Sequence, residues 1–219
     1  MTQRRARRRL LGRLLTLLAA AVVLSASATA LEKPPSSQPG PAVSGNLTGW
    51  LLVATSRLRD PRFARSVIFL AHHDDKGAMG LIVNRQITVE PASDLLQRIV
   101  GEKGPDGGGR DVRIHYGGPV EPRFWHILHS SDYKGKGTMV VSDRVSMTRN
   151  EDILRALARG KGPAKGFLAV GYAGWGPGQL EGEIRRKSWI TVRPDDGIVF
   201  DGEMQTKWQR ATDKRGVDL

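Results

Sequence analysis

Imidazole and carboxylate groups are concentrated in one short segment, His72-His73-Asp74-Asp75. Both are ligand types that bind zinc, iron and manganese in proteins. In a strand, however, consecutive side chains point to opposite faces, so His72 would pair with Asp74 and His73 with Asp75. Each face would then offer two ligands rather than three or four. We therefore predict a strand that enters a polar hairpin, with no metal and no cofactor.

Other side chains give no signal for nucleophilic catalysis. The chain has no cysteine and no Gly-x-Ser-x-Gly motif. His126 and His129 are three residues apart, which places them on opposite sides of a strand. We predict no catalytic residues. The alternative is a metal-assisted hydrolase in which residues 72–75 supply the ligands.

Glycines mark three turns, at residues 74–80, 117–119 and 174–178. Because glycine-rich turns often allow two backbones to approach closely, we expect the three turns to converge. Their backbone amides, with His72 or His73, would then bind a small anionic ligand or a protein partner. The candidate ligand-binding residues are His72, His73, Gly77, Gly80, Gly117, Gly118, Gly174 and Trp175.

The elements that would position these turns are short strands mixed with a few helices. Apolar runs separated by glycine turns predict strands at residues 50–55, 66–72, 78–84, 112–116, 124–129, 138–142, 166–173, 189–192 and 198–200. Amphipathic spacing predicts helices at residues 92–100, 151–159, 178–187 and 203–214. Strands and helices do not alternate regularly, which favours an α+β fold over a doubly wound one.

The N-terminal segment has the three parts of a secretory signal peptide. Arginines are followed by an apolar run and by the small-residue sequence Ala28-Thr29-Ala30. We predict a signal peptide at residues 1–30 that is cleaved after Ala30, a flexible Pro/Ser/Gly linker at 31–46, and a folded domain at 47–219. The mature protein would be periplasmic, and it would meet the membrane only through the leader during export.

The net charge of +12 would suggest a nucleic-acid-binding protein if it were spread over the domain. Six of the basic residues lie within the first 30 positions, where no acid balances them. The domain itself has no concentrated basic stripe apart from Arg185-Arg186-Lys187, so we do not expect nucleic acid as a partner. The alternative is a cytoplasmic transcriptional regulator, which requires that the translation start be misplaced and the leader not genuine.

Three blocks of sequence resemble the YqgE/AlgH family of bacterial proteins, in the same order and spacing. They are GWLLVATSRLRDPRFARSVIFLAHHDDKGAMGLIVNR at residues 49–85, YGGPVEP at 116–122 followed by ILHS, and LAVGYAGWGPGQLEGEI at 168–184. The similarity extends over residues 47–219. Ser56, where the family commonly has proline, and the FWHILH stretch at 124–129 depart from the family pattern.

The resemblance implies an α+β fold with a bifurcated mixed β-sheet, part of it a small closed barrel, surrounded by helices. It implies much less about function, because the family has no established biochemical activity and its AlgH name reflects a proposed regulatory role in alginate synthesis. No catalytic residue can be transferred from the family to this chain. We therefore expect a non-enzymatic binding or regulatory domain.

Overall fold

The computed structural model describes residues 45–106 and 109–214. Within these ranges the chain forms ten strands and five helices. The strands are β1 (Leu51–Ala54), β2 (Val67–Asp74), β3 (Gly77–Ile82), β4 (Gln86–Pro91), β5 (Asp111–Tyr116), β6 (Val120–Ser130), β7 (Thr138–Val140), β8 (Val145–Thr148), β9 (Gly166–Trp175) and β10 (Trp189–Val192). The helices are α1 (Ala92–Val100), α2 (Glu151–Ala158), α3 (Gln179–Arg185), α4 (Asp196–Phe200) and α5 (Met204–Asp213).

The sheet branches at β9, which pairs with β3, β5 and β6. Its principal path runs β10-β1-β2-β3-β9-β6-β8-β7, while β4 and β5 leave it as a side branch. The first half of β9 pairs in parallel with β5, and its last residues pair antiparallel with β3. This arrangement confirms the α+β class predicted from the residues and the bifurcated mixed sheet that the family resemblance implies. The curled part is an antiparallel half-barrel, whose path ends at β10 and β7.

Helices bury their apolar faces on different parts of this sheet. Helices α4 and α5 cover a core built on β1, β2 and β9, and α3 packs on the face that carries Leu52 and Ile68. Helices α1 and α2 pack with β5, β6 and β9 around Ile127 and Leu168. Burial of these faces removes apolar surface from water, which is the dominant stabilising contribution. Every helix in the described ranges is too short or too polar to span a bilayer.

One predicted strand is wrong, and two strands of the structure were missed. Residues 198–200 are buried in α4 and are not a strand, because the Asp195 carboxylate accepts the Ile198 N–H and caps a helical turn. An apolar run of three residues does not by itself distinguish strand from helix. Strands β4 and β8 were not predicted. In β4 the apolar residues Ile87 and Val89 alternate with polar residues, but both are exposed, at 61% and 45%.

A polar cluster lies beneath α5 at the centre of the fold. The Lys207 side chain is fully buried, and its Nζ donates to the carbonyl oxygens of Val83 and Asp201 at 3.3 and 3.1 Å. Burial lowers the pKa of Lys207 from 10.5 to about 8. The neighbouring His115 ring is also fully buried and stacks on Phe167 with ring centroids 4.1 Å apart. Neither nitrogen of His115 has a hydrogen-bond partner in the described structure.

Candidate ligand-binding site

The β2–β3 hairpin turn lies directly against the end of β9. Met79 is paired with Gly174 and Ala78 with Trp175. Gly77 has a φ of +139°, and a Cβ at this position would lie 2.3 Å from the carbonyl oxygen of Trp175. Glycine is therefore required here both by backbone conformation and by the approach of a second strand.

The turn at residues 117–119 packs on the same strand. Gly117 N–H donates to the Val170 carbonyl at 2.8 Å, and its own carbonyl accepts the Ile82 N–H at 3.0 Å. A Cβ on Gly118 would lie 2.2 Å from the carbonyl carbon of Tyr172. Strand β9 thus brings all three glycine turns together, as their composition led us to expect.

A cavity of about 700 Å³ opens where the turns meet. Apolar and aromatic side chains supply much of its wall, and two histidines, two carboxylates and a lysine supply its polar groups. The lining residues are His72, Asp74, Lys76, Gly77, Ala78, Met79, Val120, Glu121, His126, Tyr172, Gly174 and Trp175. A concave site with a few convergent polar groups is the usual form of a small-molecule site.

The backbone around this cavity is irregular. The pairing of β2 with β3 shifts between Leu70 and His72, and that of β6 with β9 shifts between Val120 and Trp125. Glu121, in the second irregularity, has a φ of +48°. Bulges and strained non-glycine residues are concentrated at functional sites, where they redirect side chains. The irregularities therefore mark this cavity as a candidate site independently of its volume.

His72 and Asp74 lie on the same side of β2, as strand geometry predicts. Their Nε2 and Oδ2 atoms are 3.1 Å apart, and both side chains are substantially exposed. Asp74 also accepts the backbone N–H of Lys76 at 2.8 Å. This hydrogen bond, helped by those from His72 and Gly77, holds the pKa of Asp74 below its ordinary value of 3.8. The Asp74 carboxylate already uses the amides of the turn, which we had expected to bind an anionic ligand.

His73 lies away from the cavity and has a structural environment. It is only 5% exposed, and its Nδ1 accepts the Leu47 N–H at 3.0 Å. The proton is therefore on Nε2, which donates to Glu181 Oε1 at 2.8 Å. Both ring nitrogens are satisfied, and His73 joins the start of the domain to α3.

The structure brings four of the eight candidate residues to the cavity wall: His72, Gly77, Gly174 and Trp175. Gly80, Gly117 and Gly118 do not line the cavity. Their lack of a side chain allows neighbouring segments to approach closely. The structure does not bring His72 and His73 together as ligands of one metal ion, because their side chains point to opposite sides of β2. In the described residues no three His, Asp or Glu side chains are grouped as metal ligands.

Among the cavity residues that the list of candidates did not include are His126 and Tyr172. Their rings meet edge to face with centroids 6.2 Å apart. His126 is only 7% exposed, and its Nδ1 has no hydrogen-bond partner in the described structure. Burial lowers the pKa of His126 from 6.5 to about 4, and nearby Arg149 acts in the same direction. His126 is therefore neutral at pH 7.

His129 behaves differently although it lies on the same strand. Its Nδ1 is 2.8 Å from the Ser130 carbonyl, and its Nε2 is 2.8 Å from Thr148 Oγ1. It is fully buried, and it joins β6 to β8. The spacing of three thus separates a cavity histidine from a core histidine, as expected for a strand.

Trp175 forms a rigid part of the wall. Its Nε1 and that of Trp189 both donate to Glu183 Oε2, at 3.0 and 2.7 Å. The two indole rings meet edge to face with centroids 5.9 Å apart. Because Trp175 is held by a hydrogen bond and by ring packing, this side of the cavity is formed before any ligand binds.

Comparison with known sequences identifies the family. Residues 51–219 match the model of the AlgH-like (DUF179) family, and the chain belongs to this family. A UPF0301 protein of Cereibacter sphaeroides is 42% identical over 174 residues, which cover 79% of this chain and 94% of the relative. A UPF0301 protein of Rhodospirillum rubrum is 43% identical over 176 residues, covering 80% and 90%.

Solved structures agree with this assignment. The solution structure of the AlgH protein from Pseudomonas aeruginosa is similar with a TM-score of 0.66 and 32% identity, covering 82% of this chain and 94% of that one. A crystal structure of a Corynebacterium diphtheriae protein has a TM-score of 0.57 at 21% identity, covering 78% and 85%. The second similarity concerns the fold alone. The function of this chain must be argued from its own site.

Proposed function

We propose that this protein is a non-enzymatic binding domain with a regulatory role, and that its small-molecule ligand occupies the cavity between the β2–β3 turn and the end of β9. The His126 ring, which lines this cavity beside Tyr172, is the observation that carries the proposal. A polar group in a largely apolar wall orients a ligand through a hydrogen bond, and an imidazole can supply one.

The lining favours a flat, largely apolar molecule with one hydrogen-bonding group. Met79, Val120 and the edge of Trp175 offer apolar contact, while His126 and Tyr172 offer polar groups at the same place. The anionic ligand predicted from the glycine turns has weaker support here, because Asp74 and Glu121 contribute negative charge to the lining. Neutral heteroaromatic molecules and amides fit better than carboxylates.

A fragment screen by ligand-observed NMR tests this proposal on the full chain. We expect neutral heteroaromatic fragments to bind the wild type, and His126→Phe to weaken their binding about tenfold because one hydrogen bond is lost. Phenylalanine keeps the ring packing against Tyr172 and removes the nitrogens. Gly174→Leu should block binding, since a Cβ at Gly174 lies 3.2 Å from the Tyr172 ring and a longer side chain would enter the cavity.

Arg57→Ala is the matched control, because Arg57 lies on the rim of a different cavity. It should leave fragment binding unchanged. If no fragment binds the wild type, or if bound fragments are insensitive to both His126→Phe and Gly174→Leu, the cavity is not the binding site.

We further propose that the domain acts in the periplasm after cleavage following Ala30. The support is the three-part leader of residues 1–30, which lies outside the described residues. N-terminal sequencing of the protein from fractionated native cells is expected to begin at Leu31 in the periplasmic fraction. A cytoplasmic chain beginning near residue 47 would reject export and restore the transcriptional regulator as the first alternative.

A further inference from the structure

Strand β10 presents one backbone edge that no strand covers in the described part of the chain. It pairs with β1 alone, with Val53 opposite Ile190. Thr55 N–H donates to the Ser188 carbonyl at 3.0 Å. Because hydrogen-bonded pairs alternate along antiparallel strands, residues 188, 190 and 192 direct their backbone groups toward β1. The N–H and C=O groups of Thr191 therefore point outward.

A groove of about 740 Å³ follows this free edge. Trp189, Ile190 and Thr191 line it consecutively. Successive side chains of a strand lie on opposite faces, so a groove that contacts all three runs beside the strand rather than over one face. The end of α3 borders the groove through Ile184 and Lys187. The geometry leaves space for one extended chain next to β10.

The groove is strongly basic. Its lining contains four cations and no carboxylate. Lys214 is paired with Asp195, whereas Arg57, Lys187 and Arg193 have no carboxylate within salt-bridge distance in the described residues. The Arg193 guanidinium lies 4.9 Å from the centre of the Trp50 ring, which fixes it at the groove.

We propose that β10 binds an extended acidic segment of a partner protein as an additional strand. The outward backbone groups of Thr191 would hydrogen-bond to the incoming strand, and Arg57, Lys187 and Arg193 would pair with its carboxylates. A second copy of this chain is a poor occupant, because pairing two β10 edges would bring the same cations together. This site is separate from the small-molecule cavity, so the proposal does not depend on whether a ligand binds in that cavity.

The test uses the full chain and a capped six-residue peptide of alternating Glu and Val. We expect binding with a Kd below about 1 mM by titration calorimetry, and at least tenfold slower hydrogen exchange at the Thr191 amide in the complex. The same peptide with Lys in place of Glu should not bind. Charge reversal in Lys187→Glu or Arg193→Glu should raise the Kd of the acidic peptide at least tenfold.

Thr191→Pro separates strand addition from simple charge attraction. Proline removes an N–H that points away from β1, so the β1–β10 pairing is kept while the new ladder loses a donor. We expect this variant to fold and to lose peptide binding, whereas Lys76→Glu, a charge reversal at the other cavity, should bind normally. Far-ultraviolet circular dichroism and thermal unfolding check that the variant is folded. If Thr191→Pro does not fold, the charge-reversal variants still test the proposal.

Three outcomes would overturn the proposal. They are no binding of the acidic peptide at about 1 mM, equal binding of the lysine peptide, and unchanged Thr191 exchange in the complex. Binding of a single-stranded oligonucleotide that depends on Arg57 and Arg193 but is insensitive to Thr191→Pro would also overturn it. That result would make the groove a nucleic-acid surface.

Discussion

Lowering the pH from 7 to 4 at constant ionic strength is expected to reduce the free energy of unfolding by several kcal/mol. Burial, reinforced by the charges of Lys207 and Arg113, lowers the pKa of His115 from 6.5 to about 3. Between those two values the unfolded chain binds a proton that native His115 does not, so stability falls as the pH falls. At pH 4 this single group accounts for about 3 kcal/mol.

His126 acts in the same direction, because its pKa is also lowered, to about 4. Carboxylates such as Asp201, with a pKa below the ordinary value of 3.8, titrate mainly below this window. The loss of stability between pH 6.5 and about 5 is therefore assigned to buried histidines that must stay neutral in the native state.

Urea unfolding at a series of pH values measures this effect. His115→Phe should flatten the pH dependence by about 3 kcal/mol at pH 4, because the phenyl ring can stack on Phe167 without a titrating nitrogen. Ile153→Val, a buried substitution that changes no titrating group, is the control and should keep the wild-type slope. A His115→Phe variant with an unchanged slope would show that His115 binds its proton equally well in the native and unfolded states.

Gly118→Ala is expected to destabilise the protein by about 3 kcal/mol or more. Gly118 has a φ of +152°, and its Cβ would lie 2.2 Å from the Tyr172 carbonyl carbon. The clash is with backbone, so no side-chain rotation relieves it. The turn must move away from β9, and the wall of the cavity that carries Tyr172 must move with it.

Gly176→Ala provides the control at a nearby glycine. A Cβ at Gly176 would meet just one atom, Gln179 Oε1, at 4.0 Å. Its stability should remain within about 0.5 kcal/mol of wild type in urea unfolding. If Gly118→Ala is equally well tolerated, the close packing of the 117–119 turn on β9 is incorrect.

Much of the fold could be predicted from the sequence because its signals are local. The apolar face of residues 92–100 predicts α1 with the observed bounds. Asn150 caps α2, and its side chain accepts the Asp152 N–H at 2.9 Å. Gly77 likewise ends the β2–β3 turn with a positive φ. Each of these features depends on a few neighbouring residues, which a single sequence contains.

The candidate site was only partly predictable, because half of it depends on long-range register. His126 reaches the cavity since β6 pairs with β9, where His126 is opposite Ala169. No local pattern specifies that pairing or the irregularity at Glu121. His73 was predicted as a ligand-binding residue because of its residue type. Its hydrogen-bond partners, Leu47 and Glu181, are distant in sequence, so its structural role could not be read locally.

The measurement that most directly tests the cavity as the ligand site is an amide chemical-shift map of the full chain, saturated with the best neutral heteroaromatic fragment. A ligand in the cavity predicts the largest shifts at Gly77, Tyr172, Gly174 and Trp175. Shifts confined to the groove beside β10, with those four amides unchanged, would contradict the proposed site.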